Sequence, residues 1–437
     1  MDDLTTQDYG MAEPERPDQP PLRIALLSYR SDPKVGGQGI YVDYAARALA
    51  RRGHIVEVIS GPPYPEIRTE TYPEKGAIKL TYLPSLDLYA QPNNGHFSLR
   101  LKHLKSWSDT YEYFGHVSGK FVEPFTFMRR AAKYLKARRG QYDVVFDNQT
   151  LAYGLLDIRK AGFATVGAIH HPITRDLKLS LENEEKWQMR WLIRRWYTFL
   201  KMQKRVARKL DNIIVVSSST RDDITTDFGV SSERVAVVPL GIDQDMFRPR
   251  ANVTRNPNQL ISAASADVPL KGQRYLVEAY AKLLETRPDL ELTVIGKPRK
   301  GPTTEIAEKL GVKDRIRYIH DLTHDEMAEA YCSATIAVTP SLYEGFGFPA
   351  AEAMACGTPV VVTNGGALPE VVGDAGVIVE TADSNALAAA IGDLLDDPAR
   401  QAELSKAGIA RSAELYHWDR VAASYERVFR QAIAQTC

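Results

Sequence analysis

The sequence predicts an α/β protein made of two Rossmann-like, doubly wound lobes facing a central cleft. Short apolar runs of strand length alternate with stretches of helical periodicity, which is how a parallel sheet covered on both faces reads in sequence. The alternation stops in a polar Asn/Pro stretch ending at Asn258 and starts afresh at Leu260. The chain, at 437 residues, also exceeds the size to which one core ordinarily grows.

Residues 1–21 are polar, acidic and proline-rich, so they cannot bury enough apolar surface to offset ordering entropy and are expected to be a disordered tail. The first lobe, 22–240, opens with the strand Arg23-Ile-Ala-Leu-Leu-Ser-Tyr29 and a loop carrying Gly36, Gly37 and Gly39. A helix follows, with Ile40, Tyr44, Ala48 and Leu49 on one face and Gly53 at its end, and then the strand 55–59. Further strands are expected at 142–146, 165–169, 212–216 and 235–238. The region 62–127, rich in Pro, Tyr and His with weak periodicity, reads as long loops and short elements, a candidate lining for a ligand site. The second lobe, 241–414, has strands at 260–264, 290–295, 316–319, 335–338 and 359–362, and a C-terminal helix over 415–437 is expected to pack back on the first lobe. Ligands of doubly wound sheets lie at the carboxyl ends of the strands.

Composition excludes several classes. Hydrophobic residues are 44% and charged residues 25%, ordinary values for a folded soluble chain. Lys plus Arg and Asp plus Glu each number 55, so no overall field draws the molecule to nucleic acid or anionic lipid. Cys332, Cys356 and Cys437 show neither metal-ligand spacing nor a disulfide pattern, which fits a reducing cytoplasm. No apolar run approaches the roughly 20 residues that cross a bilayer, and the N-terminus has no signal pattern. A cytoplasmic protein is expected, with contact at the inner face of the plasma membrane as an option.

The segment Pro340-Ser-Leu-Tyr-Glu-Gly-Phe-Gly-Phe-Pro-Ala-Ala-Glu-Ala-Met-Ala-Cys-Gly-Thr-Pro359 lies between two strand signals. Pro349 suits a first helical position and Gly357 a helix end. Gly345 and Gly347 let the backbone turn its amides towards a ligand, and the helix adds its positive dipole end, which together make an anion site without a P-loop. Glu344 and Glu352 can each accept bonds from sugar hydroxyls, although such a pair also occurs by chance in a chain this long.

With these residues the sequence resembles the family-4 retaining glycosyltransferases of the GT-B fold, whose signature is a Glu-x7-Glu pair around a Gly-Phe-Gly-like turn. The likeness runs from about residue 23 to 420 and includes Gly36-Gly37, Val216-Ser217, Pro239-Leu-Gly-Ile-Asp243, Lys271-Gly272 and Gly365-Gly366-Ala-Leu-Pro-Glu370. It implies that Glu344 holds donor-sugar hydroxyls, Glu352 the ribose, and the amides of Gly345, Phe346, Gly347 and Phe348 the sugar and phosphates. Lys271 would neutralise the diphosphate leaving group, the main electrostatic demand of glycosyl transfer. The family usually has an Arg about five residues before this Lys, and here Ser265-Ala-Asp-Val-Pro-Leu stands instead. Lys271 then acts with the helix alone or with Lys297, Arg299 or Lys300.

By the same resemblance His170, which directly follows a strand, contacts the sugar. Gly36 and Gly37 let the backbone approach a ligand, although such a pair alone is more often a turn. The implied reaction moves a hexosyl unit from a nucleotide diphosphate sugar to an acceptor hydroxyl with retention, without metal or other cofactor. The acceptor stays open, with a lipid-linked one or a cell-envelope glycan among the candidates. The rivals are a catalytically silent sugar-nucleotide-binding subunit and an epimerase of the same fold. Finally, the basic segment 186–209 carries three of five tryptophans. It reads either as a long covering helix or as a peripheral contact with an anionic membrane.

Overall fold

A computed structural model describes residues 19–31, 37–67, 76–88, 104–182, 184–264, 269–298 and 301–436. They fall into two compact units. Among the described residues, one comprises those from Gln19 as far as Val216, Thr220–Val238 and Trp418–Thr436; the other comprises Ser217–Ser219 and those of Pro239–His417.

In the N-terminal unit the chain runs β1 (Arg23–Ser28), α1 (Gly37–Arg51), β2 (Ile55–Ser60), β3 (Ala77–Tyr82), α2 (Trp107–Val117), α3 (Glu123–Lys136) and β4 (Val144–Asn148). It continues with α4 (Tyr153–Lys160), β5 (Ala164–Ile169), α5 (Thr174–Glu182), α6 (Trp187–Trp196), α7 (Leu200–Ala207), β6 (Ile213–Val215), α8 (Ser218–Phe228) and β7 (Val235–Val237). The seven strands are parallel in the order β3-β2-β1-β4-β5-β6-β7, with Ile24 opposite both Val56 and Val144. Strand order therefore reverses between β1 and β4. The central strands are buried along their whole length because helices cover both faces, which is why they read as unbroken apolar runs.

The C-terminal unit follows with β8 (Asn256–Ala263), α9 (Gln273–Thr286), β9 (Glu291–Ile295), α10 (Pro302–Lys309), β10 (Ile316–Ile319), α11 (His324–Ser333) and β11 (Ala334–Thr339). Then come α12 (Phe348–Ala355), β12 (Val360–Thr363), α13 (Leu368–Val372), β13 (Gly376–Val379), α14 (Ser384–Leu395) and α15 (Pro398–Leu415). Its six strands, again parallel, run β10-β9-β8-β11-β12-β13, so the reversal lies between β8 and β11. Leu260, Leu276, Tyr280, Val338, Val361 and Ile391 knit the sheet to its helices.

The last helix, α16 (Trp418–Thr436), belongs to the N-terminal unit. Phe429 and Tyr425 pack against Phe146 of β4, at 5.1 and 5.5 Å between ring centroids, and the Tyr41 hydroxyl of α1 donates to that of Tyr425 at 3.0 Å. Two expectations need correction. The region 62–127 holds a regular strand, β3, and a regular helix, α2, besides its loops. The segment 186–209 is broken by a 3₁₀ turn at Tyr197–Phe199 into α6, which buries no residue, and α7, which buries Leu200, Met202, Gln203, Val206 and Ala207.

Candidate active site

At the reversal point of the C-terminal sheet, the loop after β8 ends in a 3₁₀ turn, Pro269–Lys271, and the loop after β11 carries Glu344. These loops are joined by backbone and side chain together. Leu342 N–H donates to Leu270 O at 2.8 Å, and Lys271 Nζ donates to Glu344 Oε1 at 2.7 Å across 73 residues of chain. Ser341 Oγ donates to the same carboxylate oxygen at 2.7 Å. The pair is partly buried, with side-chain exposures of 27% for Lys271 and 11% for Glu344.

Glycine permits this closeness. Gly272 has φ +61°, and a Cβ there would sit 1.9 Å from Pro340 O, inside any van der Waals contact. Gly366, at φ +66°, lets its backbone bridge Glu344, whose carbonyl accepts from Ala367 N–H at 2.9 Å. The Glu344 backbone is thereby sewn between two loops, which fixes the direction of its side chain.

Gly345, Phe346, Gly347 and Phe348 form the turn into α12. Ser217 Oγ donates to Gly345 O at 2.8 Å, and since carbonyl and N–H point oppositely across a trans peptide, the Phe346 amide is turned the other way. Phe346 is buried edge-on against Tyr416, with centroids 5.3 Å apart, and against Phe348 at 5.6 Å. Gly347, left-handed at φ +110°, caps α12, and Pro349 lies in its first turn. Proline's fixed φ and missing donor suit that position and leave the amide-rich, positive end of the helix beside the Glu344 loop.

Glu352 lies within α12, where Tyr331 OH donates to Oε2 at 3.3 Å. Burial pushes its carboxyl up to about 8, with the Tyr331 bond pulling the other way. At neutral pH it is therefore largely protonated and can donate as well as accept. Lys297 follows β9 and pairs with Asp321 at 3.0 Å, both well exposed. It stands at the wall of a shallow concavity lined also by Ala264, Gln273, Val294, Thr303 and Tyr318. Arg299, Lys300 and the stretch 265–268, where the family's arginine would stand, lie outside the described residues.

In the N-terminal unit Gly37 opens α1, and Gly36 lies outside the described residues. His170 follows β5 and is held by β4's end. Its backbone N–H donates to Gln149 Oε1 at 2.7 Å, and Nε2 meets Asn148 Oδ1 at 2.6 Å. Asn148 Nδ2 donates to Ser28 Oγ, so Oδ1 is the accepting atom and Nε2 carries the proton. Nδ1 is then a buried lone pair without a hydrogen-bond partner among the described residues. Burial lowers the imidazole to about 4, so it is neutral at physiological pH. Gln149 and Leu151 both have positive φ, +56° and +46°, a strain that side-chain and backbone bonds at β4's end hold in place.

Two family models cover most of the chain. Residues 35–246 match the model described as Glycosyltransferase Family 4, and residues 243–411 match Glycosyl transferases group 1. An MMP alpha-(1->4)-mannosyltransferase of Mycolicibacterium hassiacum is 46% identical over 418 residues, 95% of this chain and 99% of its own length. The chain belongs to glycosyltransferase family 4. This glycosyltransferase also shares its fold with solved structures. Sucrose-phosphate synthase from Thermosynechococcus elongatus superposes with a TM-score of 0.69 at 24% identity, over 95% of this chain and all of that one. The Anabaena protein HepE in complex with UDP and glucose gives 0.65 at 15%, over 94% and 100%.

Sequence reasoning missed Ser341, Tyr331 and Tyr416, which position Glu344, Glu352 and Phe346. Ser341 sits three residues before Glu344, a visible signal. The other two come from distant parts of the chain and left none.

Proposed function

We propose that this glycosyltransferase moves a hexosyl unit, mannosyl by likeness to the Mycolicibacterium hassiacum enzyme, from a nucleoside diphosphate sugar to the 4-hydroxyl of a sugar acceptor. The observation that carries it is the Lys271–Glu344 pair at the β8/β11 reversal, beside the N-terminus of α12. A diphosphate displaces Glu344 from Lys271's field of contacts, takes the cation and the helix end, and leaves the Glu344 carboxylate to accept from donor-sugar hydroxyls. Glu352 takes the ribose, and the concavity beside Gln273 and Thr303 receives the base.

The bond from the anomeric carbon to the β-phosphate oxygen breaks as the acceptor oxygen bonds to that carbon on the same face, and the acceptor proton passes to the departing phosphate. Lys271 and the α12 amides stabilise the charge that develops there. His170 Nδ1, unprotonated and buried, accepts from a sugar hydroxyl. This reading needs no metal or other cofactor. The test is a thermal-shift screen of uridine, guanosine and adenosine diphosphate hexoses, followed by proton NMR of the product. A melting shift with one base and an α-linked product are expected; no shift with any donor, or a β-linked product, sinks the reading.

A second reading concerns α6. Trp187 is 73% exposed and Trp191 54%, with Lys186 exposed at the N-cap of α6 and Arg194 exposed on the helix. Aromatic and basic groups together suit reversible attachment to an anionic surface, and hence a lipid-linked acceptor at the inner leaflet. Arg190 and Arg195 hold α6 to the backbone at Glu184 and Ser118, so they are poor probes. Sedimentation with phosphatidylserine vesicles should fall in the Lys186→Glu/Arg194→Glu variant and in high salt. Equal, negligible pelleting of both proteins removes the membrane.

A further inference from the structure

Cys332 and Cys356 stand 24 residues apart in the chain, yet folding brings them together where α11 and α12 end. Cys332 lies in the last turn of α11, and Cys356 is the C-cap of α12. Both are free thiols and both are buried, Cys332 at 5% exposure and Cys356 at 1%. Cys332 Sγ lies 3.8 Å from Cys356 O and 3.4 Å from Arg248 O, and the Cys356 thiol donates to the Cys332 sulfur. Pairing of β11 with β12 fixes this meeting. It leaves the two helix ends side by side, and Thr358 Oγ1 donates to the carbonyl of Tyr331, the residue before Cys332.

The two sulfurs differ in reactivity. The hydrogen bond from Cys356, opposed by burial and helped by the charges of Arg250 and Arg255, holds the Cys332 thiol below the ordinary thiol range. The same bond, together with burial, pushes the Cys356 thiol up. Thiolate is the nucleophilic form, so Cys332 attacks an oxidant first and Cys356, still protonated, is the thiol that resolves the product. The pair also brackets a contact of the candidate active site. Tyr331 OH donates to Glu352 at 3.3 Å, and Glu352 lies one helical turn before Cys356, whose N–H donates to Glu352 O at 3.0 Å. An S–S bond is only about 2.05 Å long, so closing it draws the end of α11 onto that of α12 and shifts both partners of the Tyr331–Glu352 bond. Close packing passes such a shift on to its neighbours.

We propose that Cys332 and Cys356 form a peroxide-sensitive dithiol whose oxidation to a disulfide weakens nucleotide binding through Glu352. The second half rests on the reading of Glu352 as the group that takes the ribose. The Cys332 sulfur attacks one oxygen of hydrogen peroxide, the O–O bond breaks, and hydroxide leaves with the thiol proton as water. The Cys356 sulfur then attacks the sulfenic sulfur, the S–O bond breaks, and a second water carries off the Cys356 proton. Two electrons pass from the sulfurs to the peroxide, and a dithiol reductant reverses the change. The experiment exposes the folded full chain to hydrogen peroxide and maps its peptides by mass spectrometry. Cys332 and Cys356 should be found joined with the loss of two hydrogens, and dithiothreitol should undo the link. In Cys356→Ser the reaction should stop at a sulfenic acid on Cys332 that dimedone traps, and Cys332→Ser should form neither product. Guanosine and uridine diphosphates are titrated calorimetrically into reduced and oxidised protein. Whichever nucleotide the reduced chain binds should be held at least fivefold more weakly after oxidation, the low end of ordinary coupling between sites, and equally before and after in Cys332→Ser. Absence of the linked peptide in wild type, or a link to Cys437 instead, overturns the dithiol. A link that leaves nucleotide affinity unchanged overturns its control of Glu352. Failure of the reduced chain to bind either nucleotide strikes at the reading of the donor and at that control, while the peptide map still decides the dithiol.

Discussion

Glu344 receives two donors on one oxygen, Lys271 and Ser341, while Gly365, Gly366 and Ala367 hold its backbone. Glu344→Gln keeps the shape and removes the charge. A charge-assisted bond is worth about 1.5–3 kcal/mol, so kcat/KM should fall at least tenfold with little change in melting temperature. Steady-state kinetics and a thermal melt check both halves. Lys271→Ala should cost roughly a hundredfold or more, as for loss of a single oxyanion donor, because no other described cation stands beside Glu344. Activity near wild type would place the diphosphate elsewhere. Gly272→Ala carries the same message through the backbone. Its methyl cannot occupy the space of Pro340 O, so the turn bearing Lys271 must shift, and activity should fall together with thermal stability. A variant as active and stable as wild type would show that the loop moves freely.

Among elements, legibility followed burial. The fully buried β4, β5, β11 and β12 announced themselves as apolar runs, with ends misplaced by a residue or two. The edge strand β3 (Ala-Ile-Lys-Leu-Thr-Tyr) has one buried residue in six and borders a Pro- and Tyr-rich stretch, so it read as loop. The segment 186–209 read as one basic helix because charge and tryptophan continue through the break at Tyr197. Only packing separates exposed α6 from anchored α7. At the site, Glu344 and the helix start were readable from Gly-Phe-Gly-Phe-Pro, whereas the Lys271–Glu344 contact joins loops 73 residues apart and no local pattern encodes it. That the last helix packs back on the first lobe was expected, but the ion pairs that anchor α16 join distant residues and left no local signal. Glu426 sits between Arg52 at 3.0 Å, His54 at 3.3 Å and Arg430 at 2.6 Å, all within the N-terminal unit. Burial alone would raise its carboxyl, but bonds from His54, Arg430 and Arg52 outweigh it and hold the group at about 2. A carboxyl depressed on folding stabilises fully above its unfolded pKa, near 4.5, and that contribution is lost as pH falls towards 2. Glu426→Ala removes the carboxylate that Arg52, His54 and Arg430 share and should cost about 3 kcal/mol at neutral pH. It should also flatten the acid limb of an unfolding profile, and an unchanged limb would assign the sensitivity elsewhere.

On the scale of the molecule, the two units differ in how the chain builds them. Residues 239–417 form one continuous stretch that contains Lys271, Glu344, α12 and the concavity beside Gln273. Expressed alone, that stretch should fold and bind the donor nucleotide, gaining about 2.7 kcal/mol at a hundredfold excess over Kd by mass action. A chemical-denaturation midpoint that ignores the nucleotide would refute it. The N-terminal unit has no such independence, since α16 supplies Tyr425 and Phe429 to the core around Phe146 and Glu426 to Arg52. On the ribosome, therefore, the first unit to be synthesised is the last to be completed. Its core waits, short of one wall, while some 180 residues of the other unit emerge and collapse, an interval of roughly ten to forty seconds at 5–20 residues per second. A nascent chain stalled before Trp418 should accordingly carry a protease-resistant C-terminal unit joined to a digestible N-terminal one, and release of the final helix should switch the second into resistance.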